Sequence, residues 1–220
     1  FEFKKEMKNK FNILTQVIYN PLNKLEIQKK SKKKINLEFF KEKKILKLIN
    51  VARFTDQKDQ LTLLRAFLEV NKKINARLIL IGYGSNKNQL IDFINEKNLN
   101  KKVRIINYQN NPYNYIKYSD VFILSSIYEG LPNVLLEAMT LKKFVISSNC
   151  PTGPKEILEN GKYGFLFKTS DYKDLSKKII YYFKYKKRLK TKINKGYKSL
   201  RRFDYEENCL KYLKLVKKII

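Results

Sequence analysis

Histidine and tryptophan are absent from this 220-residue chain, cysteine occurs twice, and glycine and proline number only 7 and 5. Without histidine there is no imidazole base, no serine–histidine triad and no histidine-ligated zinc, so any chemistry must use carboxylates, lysine, tyrosine, cysteine or backbone dipoles. Cys150 and Cys209 cannot build a disulfide framework, and neither stands at a metal-ligand spacing, which points to a reducing, cytoplasmic setting. No apolar run reaches about 18 residues, the length that a spanning helix needs, and no signal peptide opens the chain. The chain as written reads as neither membrane-spanning nor secreted. It begins with Phe1 and not with Met, and is read as a fragment.

What is present is apolar surface and positive charge. Hydrophobic residues make up 43% of the chain, with 15 Tyr and 14 Phe, more buryable surface than a disordered chain carries. Against 20 Asp and Glu stand 48 Lys and Arg, a net charge of +28. Such an excess raises nucleic acid or an anionic membrane as a partner. Lysine, isoleucine, asparagine and tyrosine together dominate the composition, however, as an AT-rich genome dictates, so part of the charge is compositional drift. Lysine is spread along nearly every segment and no RNA-recognition or zinc pattern occurs, so nucleic acid is not the expected partner.

From residue 45 onward short apolar runs alternate with helix-period segments, the pattern of an α/β, Rossmann-like, doubly wound parallel sheet with helices on both faces. Strands are expected at 45–51, 77–82, 103–106, 121–125, 144–147 and 164–167, with a further short strand at 16–19. Helices are expected at 57–71, 86–97, 172–187 and 205–220, with Thr55, Asn133 and Ser170 as caps. On 205–220 the aligned face of Cys209, Tyr212, Leu213 and Val216 is expected to turn to the core, a membrane interface being the other reading. The lysine run at 29–34 reads as an exposed loop or as a patch for phosphates or lipid head groups.

In open α/β sheets, ligands bind beyond the carboxyl ends of the strands. After the first strand, Arg53 leaves the strand end and Lys58 is placed in the first turn of a helix, where a cation opposes the helix dipole unless an anion lies beside it. After the second, Gly82-Tyr83-Gly84 is either a ligand loop or simply a tight strand-to-helix turn. After the fourth comes the sharpest segment. There Glu129 precedes Gly130 and Leu131, Pro132 presets a helical turn, and free N–H groups near Leu131, Asn133 and Val134 would open an anion or hydroxyl site. Glu137, set among the apolar Leu135, Leu136, Ala138 and Met139, is a carboxylate out of place unless it serves a ligand.

These residues resemble the nucleotide-sugar-binding half of a GT-B glycosyltransferase of the retaining family four group. The likeness rests on motifs in order: V-I-Y-N-P at 17–21, R-F-x-x-Q-K at 53–58, the Gly82 turn, Ser119-Asp120 opening a strand, E-x7-E around EGLPNVLLEAM, G-x-x-G at 161–164, and NCPTGPKEIL at 149–158. The last resembles the branch acting on lipid-linked oligosaccharides and surface polysaccharides. The resemblance implies that Arg53 and Lys58 neutralise a donor diphosphate, Glu137 accepts from ribose hydroxyls, and Glu129 holds hydroxyls of the transferred sugar. It further implies that Gly130 to Val134 cover sugar and phosphates, and that main chain near Asn107 and Tyr108 reads the base. Departures are Ala52 and Asn107 where glycine is usual, and Ser125 where proline is common. The implied reaction is metal-independent transfer with retention from a UDP-sugar or other nucleotide sugar, with no cofactor. The implied acceptor is a lipid-linked or polysaccharide glycan at the inner face of the membrane, with peripheral attachment to anionic lipid. Domain boundaries follow: 1–15 as a remnant of an acceptor domain, 16–200 as the donor domain, and 201–220 as a helix packing back toward the missing half. A non-catalytic nucleotide-sugar-binding module is the other reading.

Overall fold

The computed structural model describes residues 2–42 and 44–217. Six strands form one wholly parallel sheet: β1 (Leu46–Val51), β2 (Ala76–Ile81), β3 (Val103–Ile106), β4 (Val121–Leu124), β5 (Phe144–Ser148) and β6 (Phe165–Phe167). Their order is β3-β2-β1-β4-β5-β6. The central strands are mostly apolar because both faces are covered, β4 and β5 being buried throughout, while the edge strands β3 and β6 are only partly covered; successive side chains take opposite sides. Thus Leu78 and Leu80 join one core layer while Ile79 and Ile81 join the other.

Helices α3 (Gln60–Asn71), α4 (Lys87–Glu96) and α8 (Tyr172–Ser199) contribute to the first layer through Leu63, Phe67, Leu90, Ile94, Leu175 and Ile179. The second layer holds Ile27 of α2 (Lys24–Lys30), Ile116 of α5 (Tyr113–Tyr118), Leu135 and Leu136 of α6 (Asn133–Thr140), and Ile157 of α7 (Pro154–Ile157). Each such side chain stabilises the fold by about 1.5–3 kcal/mol through burial. The remaining helices are α1 (Glu2–Phe11) and α9 (Tyr205–Val216).

The crossover sits between β1 and β4. They pair only through Leu48 with Val121 and Ile49 with Phe122, and beyond that the strands part. Asn50, fully buried, bridges the opening by donating from Nδ2 to the Ile123 carbonyl at 2.8 Å. A crevice therefore opens at the carboxyl ends of β1 and β4, the switch point of a doubly wound sheet.

Several sequence expectations are corrected. Segment 16–19 is not a strand; the chain there is irregular, and its contacts with the body include Tyr19 against Phe203, ring centroids 4.6 Å apart, and a hydrogen bond from the Tyr19 hydroxyl to Glu156, with an isolated bridge between Leu22 and Asp204 just beyond it. The lysine run is split, because Lys29 and Lys30 end α2 and Ser31 is buried, while Lys32, Lys33 and Lys34 are exposed. Helix α8 runs on to Ser199, bending at Tyr185. Asp59 caps α3 by accepting from Thr62 N, and Asp171 caps α8 by accepting from Asp174 N, so Thr55 and Ser170 are not the caps. Pro132 and not Asn133 precedes α6, which begins at Asn133. On α9, Tyr212, Leu213 and Val216 are 42%, 56% and 49% exposed, contrary to the core-facing expectation. That helix is fastened at its start, where buried Asn208 donates to the carbonyls of Arg202 and Asp204; its apolar periodicity marks a face without naming what covers it. Residues 218–220 of the expected helix, and Phe1 of the expected remnant, lie outside the described residues.

Candidate active site

Four loops meet at the crevice. The first, after β1, is held by the second: Phe54 N donates to the Tyr83 carbonyl at 2.7 Å and Asn86 N to the Phe54 carbonyl at 3.0 Å. The approach is close enough that a Cβ on Gly82 would lie 1.9 Å from the Ala52 carbonyl oxygen. The glycine of this turn is therefore required by backbone contact alone, and its office is to fix the loop that carries Arg53. Gln60 adds a second tie, donating from Nε2 to the Arg53 carbonyl at 2.8 Å.

Those ties shape a cleft of about 360 Å³ lined in part by Arg53, Gly82, Tyr83, Tyr108, Tyr113 and Glu137. Arg53 is exposed at its rim. Glu137 is half-buried, and burial pushes its carboxyl above the usual value against the opposing pull of a hydrogen bond that Tyr113 donates at 3.3 Å. The Tyr113 hydroxyl is in turn pushed up to about 12, first by burial and then by the Glu137 charge. Tyr83 and Tyr108, both more than half exposed, meet edge to face at the mouth with centroids 5.8 Å apart. Asn107 stands outside the cleft lining, its side chain accepting from Lys87 and its carbonyl from Gln109.

The second cluster lies where the β1 and β4 loops meet. Lys58 is not in the first turn of a helix: it ends a 3-10 turn at Asp56–Lys58, ahead of α3. Its Nζ lies 2.6 Å from Glu129 Oε1, and the two side chains are only 16% and 8% exposed. Ser126 Oγ donates to the same oxygen at 2.6 Å. The expected helix-dipole penalty on Lys58 therefore loses its premise, and the anion beside Lys58 is supplied by the chain itself. Ser125 Oγ donates to the Lys58 carbonyl at 2.8 Å and Gln57 Nε2 to the Tyr128 carbonyl at 2.9 Å, bracing the pair.

The turn leading into α6 is clamped from below. Glu129 N donates to the Pro151 carbonyl, Thr152 N to the Glu129 carbonyl, and Gly153 N to the Gly130 carbonyl, at 2.7, 2.7 and 2.8 Å. A Cβ on Gly153 would lie 2.1 Å from the Gly130 oxygen, whereas one on Gly130 would meet nothing within 4 Å. One glycine is tied into the clamp and the other faces open space. Leu131 and Val134 pack on the core layer, Pro132 is buried, and Asn133 is exposed, its Oδ1 accepting from Asn20 at 3.3 Å. Arg53, Gly82, Tyr108 and Glu137 are therefore gathered in the cleft, and Lys58 with Glu129 at the loop crossing. Gly130 to Val134 make the turn between Glu129 and the helix bearing Glu137.

Sequence reasoning missed Asn50, Tyr113 and Ser126. Tyr113 and Asn50 find partners 24 and 73 residues away, for which no local signal exists. Ser126, three residues before Glu129, stood in the inspected segment and could have been named. Among the described residues no group of three or more Cys, Asp or Glu is placed to hold a metal ion, and no helix is long and apolar enough to cross a membrane.

Comparison with known proteins agrees with this layout. An uncharacterized glycosyltransferase of Methanocaldococcus jannaschii is 39% identical over 179 residues, covering 74% of this chain and 43% of that protein. The N-acetylgalactosamine-N,N'-diacetylbacillosaminyl-diphospho-undecaprenol 4-alpha-N-acetylgalactosaminyltransferase of Campylobacter jejuni is 28% identical over 201 residues, covering 90% of this chain and 53% of that protein. The chain thus spans about half the length of these curated relatives. Among solved structures, a glycosyltransferase from Rickettsia africae superposes with a TM-score of 0.83 at 21% identity, over 99% of this chain and 62% of that one. The Anabaena protein HepE in complex with UDP and glucose superposes with a TM-score of 0.80 at 19% identity, over 93% of this chain and 57% of that one. At such identities the structures establish the fold, one Rossmann-like half of the GT-B architecture. The sequence profile of the glycosyl transferases group 1 matches residues 29–199, more than half of the chain, and it is to this family that the chain belongs.

Proposed function

We propose that this chain is the donor-binding half of a retaining glycosyltransferase that moves a sugar from a nucleotide diphosphate sugar, a UDP-hexose or UDP-N-acetylhexosamine, to a lipid-linked or polysaccharide acceptor. The carrying observation is the cleft beyond the carboxyl ends of β1 and β2, which sets cationic Arg53 and the half-buried Glu137 of α6 in one cavity. A carboxylate held by Tyr113 in that position accepts from ribose hydroxyls, and Arg53 meets the diphosphate. Lys58 keeps Glu129 and, with three ammonium donors, reaches a phosphate oxygen as well. Glu129 Oε2 carries no hydrogen bond to a described residue and is left for hydroxyls of the transferred sugar.

In this reading the bond from the anomeric carbon to the phosphate oxygen breaks, the acceptor hydroxyl forms the new bond, and its proton leaves with the nucleotide diphosphate. The charge that develops on the leaving group is met by Arg53, Lys58 and the free N–H groups near 131–134, without a bound metal or cofactor. Tyr108 at the cleft mouth belongs to the base end, with Asn107 holding the loop through Lys87 and Gln109. Acceptor contacts come from a partner half that precedes this one, the helix α9 packs back toward it, and this half alone does not turn over. The Campylobacter relative, by its name, acts on a diphospho-undecaprenol carrier, which supports a lipid-linked acceptor.

Calorimetric titration of the chain with UDP, GDP and their sugars tests the reading. Arg53→Ala and Glu137→Ala are each expected to weaken donor binding by about 10- to 100-fold, the worth of a hydrogen bond to a charged group. Absence of binding by every nucleotide sugar overturns the assignment, and repeated transfer to acceptor by this chain alone overturns the half-enzyme reading.

A further inference from the structure

The positive charge of this protein is not evenly laid down. Residues 172–203 hold 13 of the 48 Lys and Arg and only one acidic residue, Asp174, so that these 32 residues carry +12 of the +28. After Asp174 no Asp or Glu occurs until Asp204. Compositional drift raises lysine everywhere; it does not clear acids from one helix.

On α8 the cations are ordered. Lys177, Tyr181, Lys184, Arg188, Lys195 and Lys198 follow one another at helical spacing, and all six are exposed. The opposite side, with Leu175, Ile179, Tyr182 and Leu189, is buried in the core layer shared with α3. Among the described residues the carboxylate found within ion-pairing distance of an α8 cation is Asp174, 3.9 Å from Lys178. Lys192 differs from the stripe in turning inward to the Gly161 carbonyl. Like charges three and four apart repel along a helix, so this face is internally unfavourable until an external anion lies against it.

We propose that the outward face of α8 rests on an anionic lipid surface. The idea deepens the reading of a lipid-linked acceptor and rests on it. The face is the outer side of a long helix bent at Tyr185, its cations stand on flexible stems, and Tyr181, half exposed, is interleaved with them. Such a face suits a plane of mobile head groups that rearrange beneath spaced charges, with an amphipathic ring at the boundary. A nucleic-acid duplex instead fixes its phosphates in a lattice that a protein must match by a groove or by insertion.

Co-sedimentation of the chain with vesicles of phosphatidylcholine, or of phosphatidylcholine with one-third phosphatidylglycerol, tests this. Binding is expected on the anionic vesicles only, fading as salt is raised. Reversing three stripe charges, Lys184→Glu, Arg188→Glu and Lys195→Glu, is expected to weaken it by about a hundredfold or more, at roughly fivefold per cation lost near the surface. The same change of net charge placed elsewhere, Lys32→Glu, Lys33→Glu and Lys34→Glu, is expected to leave most of the binding. Should the reversed helix fail to fold, as read by its far-ultraviolet dichroism, the Gln series at the same three positions repeats the comparison. Equal loss in both triples, or loss in neither, overturns the proposal. So does stronger binding to random duplex DNA than to anionic vesicles at the same salt, which would make nucleic acid the partner. Donor titration on the α8 variant separates the two readings: unaltered UDP-sugar affinity with lost vesicle binding isolates the helix face, whereas vesicle binding without any donor affinity removes the enzyme reading alone.

Discussion

Replacing Lys58 by Met tests whether the pair with Glu129 is the internal counter-ion that the structure shows. At 2.6 Å, and at an effective dielectric constant of about 20, the attraction is about 6 kcal/mol. Both side chains are mostly out of water, so desolvation of several kcal/mol per ion offsets much of it. Removing Lys58 alone leaves the Glu129 carboxylate in place with Ser126 as its remaining side-chain donor, an expected cost of about 2–4 kcal/mol. Removing both charges, with Lys58→Met and Glu129→Gln together, is expected to cost about 1 kcal/mol or less, since no stranded charge remains. For a chain of this size each kcal/mol lowers the melting temperature by about 2–4 °C, so the single variant should melt visibly early and the double variant should recover. Denaturant unfolding of the four proteins reads the coupling directly. Additivity within about 0.5 kcal/mol would refute the argument, because it would mean that the two groups do not hold each other.

Two further outcomes follow from the same geometry. Glu137 has its carboxyl raised by burial, so the folded state binds its proton more readily than the unfolded chain, and its contribution to stability is full below the ordinary value of 4.5 and lost as pH rises through the raised folded value. Glu137→Gln should therefore be more stable than the parent at neutral pH, with the difference vanishing in acid, while donor binding falls; an equal difference at every pH in denaturant titrations would contradict this. Gly130→Ala should fold normally, because a Cβ there meets nothing within 4 Å, yet bind donor more weakly by crowding the ligand. Gly153→Ala, whose Cβ would sit 2.1 Å from the Gly130 oxygen, should instead lose a few kcal/mol of stability, about 1–3 or more as overpacking does, and reversed effects at the two glycines would sink the open-space assignment.

The six strands were readable because the central ones are buried on both faces and all appear as predominantly apolar runs bounded by turn residues. The carboxyl-end loops, and Arg53 within them, followed from the position of those runs, Glu137 from its apolar neighbours on the helix beyond, and Tyr108 from the family resemblance. Pairings at long separation did not follow. Nothing near Lys58 announces Glu129, 71 residues on, and so an argument that placed Lys58 in the first turn of a helix gave its anion to a ligand. The segment 16–19 and the face of α9 failed for a related reason: apolar spacing shows that a side is sticky, and the partner is chosen by the rest of the fold. The charge stripe of α8 was legible all along. It was concealed by averaging lysine over the whole chain, and it emerges only when acids are counted beside bases, segment by segment.

The wide interval between β1 and β4 has a consequence during synthesis. Asn50 must wait for Ile123, 73 residues later, and until β4 arrives the strand at the middle of the finished sheet is an outermost one. Leu48 and Ile49, wholly covered in the end, then border an unpaired ribbon of backbone donors and acceptors, the kind of edge through which chains join one another. A variant that weakens β4 would thus injure solubility before it injured the site, and its yield in the soluble fraction would fall at temperatures where the surviving molecules still bind their ligand.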